Sequence, residues 1–253
     1  MERNNNISST EFLNKLDNLL QKNDYEKAKQ HALYWLSEYR STGDLRNELL
    51  TNNELIGLCR KLGDEAETIS HVKSALDLIK KMKIENNTGA ATTYINCATA
   101  YKAFGKADKS LPLFERAKEI YENNLSPDDY RFGGLFNNMA LALVDLQRYQ
   151  DADELYNKAL QVVGKIKNNE PEQAITHLNM ATAAETQYGI EDAHTIIENH
   201  LKKAMELLDT GKERTDGNYA FVCEKCAPSF GYYGYFYYEN ELNERARRIY
   251  ERA

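Results

Sequence analysis

The chain has 253 residues, with 39 acidic against 32 basic side chains, a formal charge of −7 and a mean hydropathy of −0.68. Its 4 prolines and 13 glycines are too few to turn an all-β chain of this length, so long helices are expected, and the acidic balance argues against a nucleic-acid partner. The longest apolar run, around Met139 to Val144, falls far short of the roughly 20 residues that span a bilayer, and neither an apolar leader nor a disulfide framework is evident, so a cytoplasmic protein without a membrane partner is expected.

In chain order, apolar residues recur at i, i+3, i+4 and i+7, which predicts amphipathic helices, and they group into six copies of a two-helix unit at 8–41, 46–84, 89–125, 131–168, 172–210 and 218–253. The first copy is carried by Phe12, Leu16, Leu19, Asn23, Tyr25, Ala28, Ala32 and Trp35, the second by Leu55, Leu58, Cys59, Gly63, Val72, Ala75 and Leu78. The third reads Tyr94-Ile95-Asn96-Cys97-Ala98-Thr99-Ala100-Tyr101, then Phe104-Gly105-Lys106 and Ser110, Leu113, Phe114, Ala117 and Ile120. The fourth repeats it 42 residues later as Phe136-Asn137-Asn138-Met139-Ala140-Leu141-Ala142-Leu143, then Leu146-Gln147-Arg148 and Ala152, Leu155, Tyr156, Ala159 and Val162. Ser126-Pro127 reads as a helix N-cap followed by a first-turn proline. The fifth opens at His177-Leu178-Asn179-Met180-Ala181 and gains about four residues, placed in its second helix. In the last copy Phe230, Tyr233, Gly234, Tyr237, Leu242, Ala246, Tyr250 and Ala253 fit the template, with Gly234 as the counterpart of the small first-helix residues Ala98, Ala140 and Ala181.

This pattern resembles the tetratricopeptide repeat, and the 42-residue period with its Asn-Met-Ala or Asn-Cys-Ala core is similar to the kinesin-light-chain subtype of that family. The resemblance implies an all-α fold: a right-handed superhelical solenoid of stacked antiparallel helix pairs, one domain over 1–253, with first helices lining a concave face. It also implies a non-enzymatic interaction module that binds a protein or peptide partner and needs no cofactor. Residues on that face are Asn96, Thr99, Lys102, Asn137, Asn138, Leu141, Asn179, Thr182 and Glu185, with Asn14, Asp17, Gln21, Asn53, Arg60 and Lys61 before them. Asn14, Asn96, Asn138 and Asn179 share one point of the template. A carboxamide there can pair with both the N–H and the C=O of an extended peptide, or it can bond a neighbouring helix and set the repeat spacing; both roles stay open. The carboxylate clamp of chaperone-tail binders is not matched, since Thr99 and Thr182 stand for its second Asn and Asp145 and Thr186 for its Lys.

In the run from Phe230 to Tyr238, the spacing assigns Phe230, Tyr233 and Tyr237 to the core and turns Tyr232, Tyr235 and Tyr238 outward. Those three form a tyrosine-lined groove end or a homodimer contact, or pack on the fifth copy. The sequence stops at Ala253 without a polar capping helix, so either the protein is longer or this end pairs with another chain. Cys223 and Cys226 form a lone CxxC, a weak metal or redox candidate with His194 and His200 as its only further donors, and one turn of a buried helix face explains the pair as well. His31, His71 and His177 read as isolated packing residues, and Cys59 and Cys97 fall on apolar positions. No phosphate loop, GxSxG, HExxH or EF-hand motif is present, and no enzyme is expected.

Overall fold

The computed structural model describes residues 9–252, so residue 8 of the first copy and Ala253 of the last lie outside the described residues. Among those described it contains twelve α-helices: α1 (Ser9–Gln21), α2 (Tyr25–Thr42), α3 (Leu45–Lys61), α4 (Glu65–Met82), α5 (Thr88–Ala103), α6 (Ala107–Asn124), α7 (Arg131–Asp145), α8 (Tyr149–Val163), α9 (Glu170–Tyr188), α10 (His194–Thr210), α11 (Gly217–Tyr232) and α12 (Phe236–Tyr250). They pair into six hairpins, and the chain divides into two compact units, residues 1–124 with α1 to α6 and residues 125–253 with α7 to α12. The fold is an all-α helical-repeat solenoid. In the first unit α3 packs on α2, α4 and α5; in the second α9 packs on α7, α8, α10 and α11.

The hairpin turns follow from local chemistry. Five first helices end in a Schellman-type bond: Asp24 N–H to Leu19 O, Asp64 to Cys59, Lys106 to Tyr101, Arg148 to Leu143 and Tyr235 to Phe230, at 2.8–3.0 Å. The residue before each donor has positive φ: Asn23, Gly63, Gly105, Gln147 and Gly234. Caps start the next elements, with Asp24, Asp44, Asp64, Asn87 and Asp216 accepting from Lys27, Asn47, Glu67, Ala90 and Tyr219 N–H. Each cap contributes about 1 kcal/mol, whereas one fully buried Leu or Phe contributes about 1.5–3 kcal/mol. Packing therefore dominates. Ala98, Ala140 and Ala181 are fully buried, as close helix approach requires, and Phe12, Leu16, Leu55, Phe114, Tyr156, Leu201 and Phe230 fill the space between helices.

Four sequence expectations are corrected. The extra residues of the fifth hairpin sit at the end of α9 and in the turn 189–193; α10, at 17 residues, is no longer than α6 or α4. Ser126 does not cap α7, which starts at Arg131, whose backbone N–H and guanidinium are held by Asp129. Pro228, which from sequence reads as starting or kinking a helix after the Cys223 and Cys226 pair, lies inside a continuous α11. In the last hairpin the shared turn bond makes Phe230 the counterpart of Tyr101, so Gly234 is the counterpart of Gly105, and Ala227, fully buried, occupies the place of Ala98. The helical period does not run through this turn. Tyr237 is consequently 84% exposed and Tyr238 only 6%, the reverse of the spacing argument.

Candidate partner-binding face

The asparagines of the first helices occupy two adjacent template positions with different jobs. Asn53 on α3 donates from Nδ2 to Thr93 Oγ1 on α5 at 3.0 Å and accepts at Oδ1 from Asn96 Nδ2 at 3.2 Å. The second unit repeats this clasp: Asn137 on α7 donates to Thr176 Oγ1 on α9 at 3.2 Å and accepts from Asn179 Nδ2 at 3.0 Å. The pattern ties the first helix of one hairpin to the first helix of the next, and it needs Asn at one position and Thr-x-x-Asn in the following hairpin. Asn138, half-buried on α7, has no hydrogen-bond partner among the described residues. Glu54 and Lys225 hold its position in the second and last hairpins; burial, with Asp17 adding to it, pushes the Glu54 carboxyl above its ordinary value.

Of the other residues expected on this face, Thr99, Lys102 and Leu141 are half-buried and Thr182 is exposed, its hydroxyl donating to Leu178 O at 3.2 Å. Glu185 is engaged on both oxygens, by the Tyr232 hydroxyl at 2.6 Å and the Tyr233 hydroxyl at 2.8 Å. The tyrosine-rich segment continues in this manner: Tyr235 donates to Glu198 at 2.6 Å and Tyr238 to Asp209 at 2.9 Å. Four phenols thus fasten the last hairpin to carboxylates of α9 and α10. Beneath them Arg245, with only 2% of its side chain exposed, bonds Asp209 at 2.7 Å, Glu241 at 2.6 Å and the Tyr219 hydroxyl at 3.0 Å, and lies 5.5 Å from the Tyr238 ring. Tyr238 is therefore buried in the core of the last hairpin and not turned outward.

Cys223 and Cys226 are both buried in the core of the last hairpin, and burial raises both thiols above their ordinary pKa. The three histidines read as isolated all have partners, and His31 Nε2–H donates to Phe12 O at 3.2 Å. His177 Nδ1 lies 3.1 Å from His200 Nδ1, and His71 Nδ1 donates to Asn52 Oδ1 at 2.9 Å. His71 also stands beside Cys59 and Glu67. Comparing hairpins at the 42-residue shift could have revealed this group, because Cys59, Glu67 and His71 replace Tyr101, Lys109 and Leu113, and Leu143, Asp151 and Leu155.

Residues 47–123 and 134–165 each match the tetratricopeptide repeat family. These hairpins are tetratricopeptide repeats. Solved structures of the same fold include BtubC (BKLC) from P. vanneervenii, 17% identical with a TM-score of 0.60, covering 89% of this chain and 90% of that one. Another is a kinesin light chain from Podosopora anserina with nearly identical TPR-like repeats, 16% identical with a TM-score of 0.54, covering 80% of this chain and 94% of that one. The tetratricopeptide repeats here are kinesin-light-chain-like in fold. No curated protein sequence matches the chain. Tetratricopeptide repeats are protein-interaction modules, and among the described residues no helix is long and apolar enough to cross a membrane.

Proposed function

We propose that the protein is a non-enzymatic cytoplasmic adaptor whose first-helix faces grip an extended peptide segment of a protein partner. The observation that supports this most is Asn138, a carboxamide without a hydrogen-bond partner among the described residues, next to an asparagine that both donates and accepts in a clasp. Asn96 and Asn179 each commit one N–H to the clasp and keep an oxygen able to accept a peptide N–H. Thr99, Lys102, Leu141 and Thr182 flank them and supply side-chain contacts. Each peptide bond contributes about 0.5–1.5 kcal/mol net, so three or four give roughly 2–5 kcal/mol, and micromolar binding needs the flanking contacts as well. A peptide-array or pull-down screen comparing wild type with Asn138→Ala and Asn138→Ala/Asn179→Ala tests the reading. Loss of partner capture by folded variants is expected, and unchanged capture rejects it.

A second reading is a homo-oligomer joined through the last hairpin, favoured by Tyr232, Phe236 and Tyr237, which are 65–84% exposed. Light scattering that finds a monomer at high concentration rejects this one.

A further inference from the structure

The second hairpin carries a polar group that repeat packing does not require. Cys59 in the last turn of α3 faces Glu67 and His71, which the i, i+4 spacing sets on one side of α4, and their ligand atoms all lie within 4.8 Å of one another. Cys59 and His71 are buried. In the third and fourth hairpins the equivalent positions hold Tyr101, Lys109 and Leu113, and Leu143, Asp151 and Leu155, so the scaffold closes there without any such triad. We propose that Cys59, Glu67 and His71 form a binding site for a divalent transition-metal ion of the zinc class.

The donor set suits that ion: one thiolate, one imidazole and one carboxylate are its ordinary ligands, and three protein ligands leave the fourth tetrahedral position open. The Cys59 Sγ to Glu67 Oε2 separation is 3.6 Å. With bonds of about 2.3 Å to sulfur and about 2.0 Å to oxygen, a tetrahedral ion places those two atoms about 3.5 Å apart. His71 is already oriented. Its Nδ1–H donates to Asn52 Oδ1, which makes Nε2 the unprotonated, metal-binding nitrogen, the arrangement that positions metal-ligating histidines.

Lys29 from α2 bonds Glu67 at 2.6 Å and also reaches Asp64 at 3.4 Å, so it has a second acceptor when an ion takes the carboxylate. Binding replaces the thiol proton: the S–H bond breaks, an S–metal bond forms, and the proton goes to solvent. Thiolate, carboxylate and dication sum to a neutral centre, and Lys29 with Asp64 makes a neutral pair beside it. The ion would cross-link the end of α3 to the first two turns of α4.

Titration of the reduced, tag-free chain with Co²⁺ tests the site. One equivalent should produce the thiolate-to-cobalt charge-transfer band and the visible bands of a tetrahedral centre, and Zn²⁺ should displace it. Cys59→Ser should abolish the charge-transfer band, while Cys97→Ser and Cys223→Ser should retain it. Because Cys59 is buried, a second variant guards against misfolding: Glu67→Gln, at a half-exposed position, should keep the helical circular dichroism and weaken Co²⁺ binding at least tenfold. No band in the wild type, a band that survives Cys59→Ser, or unchanged affinity in Glu67→Gln would overturn the proposal.

Discussion

Asn137 and Asn138 are neighbours in sequence and opposite in role. Truncating Asn137 removes two inter-helix hydrogen bonds and strands Thr176 and Asn179, so Asn137→Ala should lose about 1–3 kcal/mol in urea unfolding. Asn138→Ala breaks nothing among the described residues and should stay within about 0.5 kcal/mol of wild type. A second prediction at this scale concerns pH. Burial, with His200 and Lys203 adding to it, lowers the His177 pKa to about 4, and burial lowers His200 against the opposing pull of Asp153. The fold therefore favours neutral rings. Stability should be full above about pH 6.5, the unfolded value, and fall as pH drops through the window toward 4. His177→Phe, which installs the residue found at the equivalent Phe136, should flatten the decline of the melting temperature between pH 6.5 and 5. An unchanged slope would assign the acid sensitivity to other groups.

At the scale of the element, four of the six hairpin turns were readable and the last was misread. Asn23-Asp24, Gly63-Asp64 and Gly105-Lys106 announce a left-handed residue followed by a helix start, because few other residues accept positive φ. Gln147 occupies the same conformation with a side chain, at φ 58°. Gln147→Gly should raise stability by about 0.5–1 kcal/mol, read as a higher urea midpoint, since relief of about 1–2 kcal/mol of strain exceeds the added freedom of the unfolded chain. The last turn was misplaced because aromatics occupy nearly every position from Phe230 to Tyr238, so a helical period can be laid on them in more than one register. Gly234 serves equally well as a packing glycine or a turn glycine until the Tyr235 to Phe230 bond is seen. The asparagine row was visible, but its division into clasping and unpartnered members was not, because that depends on how one first helix is rotated against the next.

For the whole molecule, a repeat array distributes stability locally, since each unit contacts only its neighbours. Arg245 tests this. Removing it leaves Asp209, Glu241 and the Tyr219 hydroxyl without their shared donor, a loss of about 3 kcal/mol, at the low end for a broken buried pair because Asp209 is half-exposed. In Arg245→Ala, hydrogen exchange should accelerate in α10 to α12 while α1 to α4 keep wild-type protection. Uniform acceleration along the chain would mean that the molecule melts as one cooperative block.

The clasp also fixes where the chain can change length. Asn137 senses how α9 is rotated, not how many residues separate the two helices, and the fifth hairpin holds its extra residues at the end of α9 and in the turn 189–193, beyond the clasp. An insertion in a turn leaves every clasp bond in register, whereas one added residue within a helix swings each later side chain by about 100° and carries an asparagine off its partner. Turns are thus the places where such a chain can acquire new loops, and the first helices are the places where it cannot.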